Sequence, residues 1–203
     1  MGSSYIESYK DLYHGTTENA ASQIVATQTF IPSNNGWCGQ GVYFYNVKSK
    51  AWWSANRTCR SERDKGNLKA RPDIVIADTL PLSRSAILDL RSPDDLKKFA
   101  DFVDEFLSEE DFDISEDINE DEQIKLKRAL LLSFYCEEKD LKLVVGYFKQ
   151  QPQEKVDATR QFADSWQLAI GIETIYCAKD PSIVHNIRRK GGNYHEQKIW
   201  KIC

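Results

Sequence analysis

LYHGTTENAASQIVAT, residues 12–27, changes from a strand pattern to a helix pattern without a break. Leu12 and His14 share one face of an extended chain, because successive side chains of a strand point to opposite faces. After Thr17, apolar residues recur at the spacing of one helix face, and the side chain of Thr17 or of Asn19 could cap the first turn. We therefore predict a strand that leads directly into a helix.

Strand patterns return along the rest of the chain, after predicted helices. A basic amphipathic pattern over residues 49–66 predicts a helix that ends at Gly66. Apolar, β-branched and aromatic residues indicate strands at VYFYNV (42–47), DIVIADTL (73–80), SAILDL (85–90), DLKLVVGYF (140–148), QLAIGIETIYC (167–177) and HEQKIWKI (195–202). This order of elements favours an α+β fold with antiparallel sheets over a doubly wound parallel sheet.

Two helices are predicted in the middle of the chain. Ser92 is placed to cap the first, and Pro93 suits its first helical position, with acidic residues in the opening turn. The second helix covers roughly residues 120–137. We treat residues of about 92–140 as a helical insert within one domain that spans 1–203, because 203 residues support one core of ordinary size.

The net charge of −4 conceals an uneven distribution. Residues 94–122 contain 14 acidic and 2 basic side chains, so the remainder of the chain carries a net charge of +8. The basic residues concentrate in 48–71 and 188–201. Such a surface can hold a dinucleotide pyrophosphate or a nucleic-acid backbone, and a scattered solvated surface is the commoner explanation.

The cysteines and the apolar runs bear on location and metal content. The five cysteines include no C-x-x-C pair, so we expect reduced thiols, no bound metal and a cytoplasmic location. No apolar run approaches the ~20 residues that a membrane span needs, so we expect no membrane partner. Residues 111–122 have EF-hand ligand spacing, but Glu116 stands where that loop needs Gly. A solvated acidic loop, or next a docking surface for a basic partner, explains this run better than calcium.

Two segments contain residue types suited to chemistry. In LYHGT, residues 12–16, Gly15 follows His14 and lets a planar group approach the backbone without a Cβ in the way. In GWCGQGVYFY, residues 36–45, three glycines precede an aromatic strand that contains Tyr43. A structural histidine and aromatic core packing are the commoner explanations when each segment is taken alone. No G-K-[ST] follows, so the glycines do not form a Walker-type phosphate loop.

Taken in order, three segments resemble the signatures of the PARP-like ADP-ribosyltransferases of the diphtheria-toxin type, which carry a His, a Tyr and a Glu. LYHGT (12–16) is similar to the first signature strand and GQGVYFYNVKSKA (39–51) to the second. IETIYCAKDPSIV (172–184) offers Glu173 shortly before a D-P-x-x-V stretch. The resemblance covers roughly residues 10–60 and 165–187. It implies an ADP-ribosyltransferase-like pair of antiparallel sheets around an NAD cleft, with the acidic helical insert outside the matched parts.

The resemblance implies a role for each signature residue toward NAD, which is the substrate, and makes His14, Tyr43 and Glu173 the catalytic constellation. His14 would hydrogen-bond the adenosine ribose, and the backbone of Gly15, with Thr16 beside it, would hold the nicotinamide carboxamide. Tyr43 would stack on the nicotinamide ring. Glu173 would hydrogen-bond the 2′-hydroxyl of the nicotinamide ribose, where a carboxylate stabilises the positive charge that develops as the bond to nicotinamide breaks.

A second aromatic side chain usually closes over the nicotinamide in this family. Trp52 and Trp53 lie in the corresponding region, and we expect one of them to line the pocket, although ungapped matching places Ser54 there. Gly171 stands two residues before Glu173, where arginine-directed toxins of the related class carry Glu or Gln. An arginine acceptor chosen in that manner is thus disfavoured.

We therefore expect an NAD-dependent mono-ADP-ribosyltransferase, a glycosyltransferase of bacterial or phage-conflict toxin type that releases nicotinamide. Its partners would be NAD, a macromolecular acceptor that is RNA, DNA or protein, and an antitoxin or inhibitor protein. The pair Trp52 and Trp53 and the basic stretch 57–71 are expected to face the acceptor, and they favour nucleic acid slightly. Two alternatives stay open: an NAD glycohydrolase that uses water as the acceptor, and a catalytically silent fold that binds NAD, nucleic acid or a partner protein.

Overall fold

The computed structural model describes residues 5–109, 120–149 and 172–189 of the 203-residue chain. Within these ranges it leaves out the side chains of Asn35, Glu109, Lys149, Ile172 and Glu173. The strand predicted at 195–202 and most of the EF-hand-like run at 111–122 lie outside the described residues. None of the helices in these three ranges is both long enough and apolar enough to cross a membrane.

Ten strands and four helices occur in the described ranges. The strands are β1 (Ile6–Glu7), β2 (Leu12–Thr17), β3 (Ser33–Gly36), β4 (Gly39–Tyr45), β5 (Pro72–Thr79), β6 (Leu82–Ser83), β7 (Ile87–Asp89), β8 (Leu143–Lys149), β9 (Ile172–Ala178) and β10 (Val184–Arg189). The helices are α1 (Glu18–Thr27), α2 (Lys48–Asp64), α3 (Pro93–Glu109) and α4 (Glu120–Glu138). Short 3₁₀ turns, Arg84–Ala86 and Pro181–Ile183, lead into β7 and β10.

A mixed sheet forms the centre of the fold. Its strand order is β10-β5-β2-β4-β9-β8-β7, with β3 paired to β4, while β1 and β6 form a separate two-stranded sheet. The paired strands are antiparallel except β7 and β8, which are parallel. The chain passes between those two strands through α3 and α4, and a helical connection can return it to the starting end of the sheet. The α+β class is confirmed, and the expectation of antiparallel pairing throughout is wrong at β7.

The passage from β2 to α1 follows from local sequence. The backbone N–H of Ala20 donates to Thr17 Oγ1 at 3.3 Å, so the Thr17 side chain caps the helix. Replacing such a cap by alanine typically costs about 1 kcal/mol. The helix ends where Gln28 takes a left-handed conformation with φ of 54°. The strand-to-helix passage predicted for residues 12–27 is therefore confirmed.

Helix α2 lies close to β2 because its sheet-facing residues are small. Ala51, Ala55 and Cys59 are buried. A Cβ atom built on Gly15 of β2 would lie 1.8 Å from the carbonyl oxygen of Ala51, far inside van der Waals contact. Glycine at position 15 is therefore required for this helix to pack on the sheet.

Buried apolar side chains lie on both faces of the central sheet. One cluster, which α1 helps to cover, includes Leu12, Ala21, Phe30, Val42, Phe44, Val75, Leu143, Val145 and Tyr176. The other, which α2 and α4 cover, includes Cys38, Tyr45, Ala51, Ile74, Leu132, Tyr135, Cys136, Val144, Ile175 and Cys177. Each large side chain buried in this way contributes about 1.5–3 kcal/mol. Tyr43 packs against the second cluster, which we call the helix-covered cluster.

The two helices α3 and α4 pack on each other through aromatic rings. Helix α3 begins at Pro93, as the sequence predicts. The buried carboxylate of Asp95 in its first turn accepts a hydrogen bond from the Arg84 guanidinium at 2.7 Å. The ring centres of Phe102 and Tyr135 are 5.0 Å apart. Because Tyr135 also belongs to the helix-covered cluster, it joins both helices to the sheet.

Candidate functional site

The three signature residues lie on three neighbouring strands. His14 is in β2, Tyr43 in β4 and Glu173 in β9. The sheet places these strands in the order β2-β4-β9, so β4 has β2 on one side and β9 on the other. The fold thus brings together segments that lie far apart in the sequence, with α3 and α4 between the second and the third.

Strands β2 and β4 separate after a single residue pair. Strand β2 pairs with β5 along its whole length, whereas its pairing with β4 is limited to Tyr13 and Tyr45. Beyond that pair, Gly15 of β2 and Tyr43 of β4 belong to strands that are no longer joined by a backbone ladder. We call this separation the β2–β4 gap.

The imidazole of His14 lies at the β2–β4 gap. Its Nδ1 atom is 2.9 Å from the carbonyl oxygen of Tyr43. Burial lowers the pKa of His14, and the bond to that carbonyl opposes part of the shift. Because a carbonyl can only accept, the neutral ring carries its hydrogen on Nδ1 and keeps a lone pair on Nε2. Phe30 and Phe44 pack edge-on against the ring at 5.1 and 5.8 Å, so His14 offers a well-oriented acceptor.

The Tyr43 side chain is held by the turn between β3 and β4. Its hydroxyl donates to the carbonyl oxygen of Gly39 and accepts from the backbone N–H of Cys38 at 3.0 Å. Burial raises the pKa of Tyr43, and the neighbouring thiols of Cys177 and Cys38 raise it further. A Cβ built on Gly36 would lie 1.9 Å from Tyr43 Cζ, so the ring touches that backbone. Tyr43 therefore presents a neutral, half-buried and immobilised ring.

Two tryptophans share with Tyr43 a position against the helix-covered cluster. Trp37, Tyr43 and Trp52 all pack against the helix-covered cluster and keep part of their surface accessible. Trp53 instead is 41% exposed and has the Arg57 guanidinium 5.8 Å from its ring centre. Of the two tryptophans expected to close the pocket, Trp52 is thus the one that lies on the same packing surface as Tyr43. Ser54, the ungapped match, has no ring with which to stack.

Gly15 and Thr16 occupy the part of β2 that lies beyond its pairing with β4. The contact between Gly15 and Ala51 explains the glycine through helix packing alone. Thr16 is buried and pairs with Asp73 of β5. Gly15 itself is buried, so its expected contact with the nicotinamide carboxamide stays a prediction.

Glu173 lies in β9 opposite Phe148 of β8. Two residues further along β9, Ile175 pairs with Tyr45 of β4. The backbone of Glu173 therefore lies just past the end of β4, where the chain turns into α2. The side chain of Glu173 is outside the described part of the structure, and its orientation toward the β2–β4 gap stays a prediction.

Arg128 of α4 is a residue that sequence analysis did not single out. Its Nε–H donates to the carbonyl oxygen of Trp37 at 3.1 Å. Its guanidinium carbon lies 5.0 Å from the ring centre of Trp37 and 5.7 Å from that of Phe148. The sequence feature that could have pointed to Arg128 is the run KLKR at 125–128, which is basic within an otherwise acidic region.

A group of buried thiols lies beneath the turn that holds Tyr43. Cys38, Cys136 and Cys177 are buried and free, and burial raises the pKa of Cys136 to about 12. The ammonium group of Lys179 donates to the carbonyl oxygen of Cys38 at 2.9 Å. Among the residues that the structure describes, no group of three or more His, Cys, Asp or Glu side chains could hold a metal ion.

The outer face of α2 differs in part from the expected acceptor surface. Arg57 and Arg60 are exposed, as expected. Arg63 is exposed but donates to the carbonyl oxygen of Ala70 at 2.8 Å, so it also ties the end of the helix to the next segment. Trp52 differs from the expectation because it packs against the helix-covered cluster. The candidate acceptor surface therefore consists of Trp53 and its basic neighbours.

The order of strands β2, β4 and β9 and the three motifs that they contain are the features of this chain that bear on its function. The motifs occupy neighbouring strands, and the residues around the β2–β4 gap are half-buried, aromatic and held by hydrogen bonds. Comparison of the chain with protein-family models, with curated proteins and with solved structures gives no match.

Proposed function

We propose that this protein is an NAD-dependent mono-ADP-ribosyltransferase that acts on a macromolecular acceptor. One observation carries the proposal: His14, Tyr43 and Glu173 lie on the neighbouring strands β2, β4 and β9. The same three residue types are the signature that the sequence motifs resemble. Fold alone does not imply function, so the proposal depends on the chemistry of these side chains.

The nicotinamide end of NAD binds at the β2–β4 gap. The carboxamide hydrogen-bonds to the backbone of Gly15, where β2 has no ladder to β4. The ring stacks on Tyr43, whose hydroxyl is already held by the turn at Cys38 and Gly39. A ring immobilised before binding loses little conformational entropy when the ligand arrives. The half-buried Trp52 supplies the second aromatic surface.

The adenosine ribose donates a hydroxyl hydrogen bond to His14. The Nδ1–H of the imidazole is engaged by the Tyr43 carbonyl at 2.9 Å, so the lone pair on Nε2 is the free group. The lowered pKa of His14 keeps the ring neutral and preserves that acceptor at physiological pH.

Glu173 stabilises the transition state of the transfer. The bond between the ribose C1′ and the nicotinamide nitrogen breaks, and its electron pair leaves with nicotinamide. The acceptor nucleophile then bonds to C1′ and loses its proton to solvent. Positive charge develops on the ribose between these events, and a carboxylate at the 2′-hydroxyl stabilises it.

The release of nicotinamide from NAD by the purified chain tests this proposal. We expect release that saturates with NAD and that is strongly reduced when Tyr43 is replaced by alanine, because the stacking surface is lost. Lys10→Ala, an exposed substitution outside the site, is the control for handling and folding. The proposal would be contradicted if the folded protein released no nicotinamide from NAD, both alone and after cellular extracts that contain possible acceptors are added.

A further inference from the structure

Arg128 is a half-buried cation with few partners. An arginine side chain has five N–H donors, and the hydrogen bond to the Trp37 carbonyl oxygen at 3.1 Å uses one of them. Among the side chains that the structure describes, none places a carboxylate within ion-pair distance of this guanidinium. Burial lowers the pKa of Arg128, so the surroundings disfavour its charge. A cation in this situation is suited to an anionic ligand.

The position of Arg128 connects it with both sides of the candidate site. Trp37, over which the guanidinium lies, belongs to the turn whose next residues hold the Tyr43 hydroxyl. Phe148, the other ring beneath the guanidinium, pairs in β8 with Glu173 of β9. Arg128 therefore lies between the turn that holds Tyr43 and the strand that contains Glu173.

The surroundings of Arg128 favour a nucleic acid over other anions. The planar guanidinium matches the geometry of a phosphate group with two parallel hydrogen bonds. The ring of Trp37 beneath it keeps part of its surface accessible, and this combination of ring and cation is typical of single-strand binding. On α2, the exposed Trp53 with Arg57 near its ring repeats the same combination.

We propose that Arg128 binds a phosphate of a single-stranded nucleic-acid acceptor and guides the neighbouring nucleotide to the ribose that leaves nicotinamide. The inference rests on the proposed transferase function and names its acceptor class. Arg128 acts on the acceptor and takes no part in breaking the bond to nicotinamide. It comes from the helical insert, which lies outside the segments that resemble the family.

Binding of a labelled oligonucleotide tests the proposal directly. The probes are single-stranded RNA and DNA of random sequence, each of about 20 nucleotides. Their binding is measured by fluorescence anisotropy at several salt concentrations. Arg128→Met keeps the apolar stem over the two rings and removes the charge, so we expect about tenfold weaker binding and a salt dependence reduced by about one phosphate contact. Arg128→Lys keeps the charge but loses the planar guanidinium. Its affinity for the oligonucleotide should therefore lie between those of the parental protein and of Arg128→Met.

The control is Lys139→Gln, which removes one exposed positive charge directly after the end of the same helix. It should change oligonucleotide binding by less than about twofold, because a distant exposed charge is screened by salt. Equal weakening in Lys139→Gln and Arg128→Met would overturn the proposal, since only net charge would then matter. Absence of oligonucleotide binding by the parental protein, or label found only on proteins in a cell extract, would also overturn it.

Nicotinamide release separates this inference from the function on which it rests. Arg128→Met should bind NAD with the parental affinity, while label transfer to the oligonucleotide falls. An increased KM for NAD with unchanged oligonucleotide binding would assign Arg128 to the NAD pyrophosphate and overturn the proposal. If the parental protein releases no nicotinamide, the transferase function itself fails, whatever the oligonucleotide data show.

Discussion

Position 15 combines an observed packing role with the proposed binding role. Gly15 permits the carbonyl oxygen of Ala51 to approach β2 to a distance that any Cβ would prevent. The same residue lies where β2 loses its pairing with β4. A substitution there would therefore displace α2 as well as a ligand, so loss of activity in a Gly15 variant would not reveal a binding role.

Glu173 allows a cleaner test at the residue scale. Glu173→Gln keeps the shape and removes the negative charge that matters most as the ribose becomes cationic. We expect the rate of nicotinamide release to fall roughly a hundredfold to a thousandfold, while NAD affinity and folding are retained. The measurements are single-turnover kinetics and equilibrium NAD binding. A folded, NAD-binding variant with the parental rate would show that Glu173 is not the catalytic carboxylate.

His14 predicts a dependence of stability on pH. The folded-state pKa lies below the usual value of 6.5, so the unfolded chain binds the proton more readily than the folded chain. The contribution of the neutral His14 ring to the free energy of unfolding is fully present above pH 6.5 and is lost as the pH falls through the folded-state pKa.

Thermal unfolding of the parental protein and of His14→Gln, compared between about pH 8 and about pH 5, measures this effect. Glutamine cannot titrate, so the melting temperature of the parental protein should fall more steeply with acid than that of the variant. Parallel curves for the two proteins would contradict the lowered pKa.

Helix α2 has two faces with different tasks. Its small residues face the sheet and permit the close approach to β2, while Arg57 and Arg60 are exposed to solvent. Because exposed like charges attract a polyanion without contributing to the fold, a change at these two positions tests the proposed acceptor surface separately from the fold.

Charge reversal on this face should affect transfer more than cleavage. Arg57→Glu and Arg60→Glu, made singly, should weaken label transfer to a nucleic-acid acceptor several-fold, while nicotinamide release measured without the acceptor, where only water can react, stays nearly unchanged. Lys10→Glu makes the same charge change before β2 and serves as the matched control. Assays at two salt concentrations should show a smaller difference at high salt. Equal loss of cleavage and transfer would remove α2 from the acceptor surface.

The elements that local sequence specifies were predictable, and those that depend on distant contacts were not. The cap of α1 lies at Thr17, one of the two residues that the sequence offers for it, and α3 starts at Pro93, as the sequence predicts. To predict the parallel pairing of β7 with β8, one must know where helices α3 and α4 return the chain to the sheet, and no local pattern contains that information. The contact of Arg128 with Trp37 was missed for the same reason, because the two residues are far apart in sequence.

At the scale of the whole molecule, one sheet joins the matched ends of the chain to the helical insert. The insert separates the second motif from the third in sequence, yet β4 and β9 pair directly. Helix α4 then packs on the same face as Tyr43 through Leu132, Tyr135 and Cys136. The insert is therefore part of the surroundings of the candidate site, and it supplies Arg128.

The fate of the ADP-ribosyl group is the most direct test of the central claim. The whole chain is incubated with NAD labelled in its adenosine part and with cellular RNA, DNA and protein, and the products are separated by size and identified by mass spectrometry. Transfer predicts label that is covalently attached to a macromolecule, with one equivalent of nicotinamide released for each group attached. Label found only in free ADP-ribose would identify a glycohydrolase instead, and unconsumed NAD in the presence of folded protein would contradict the account.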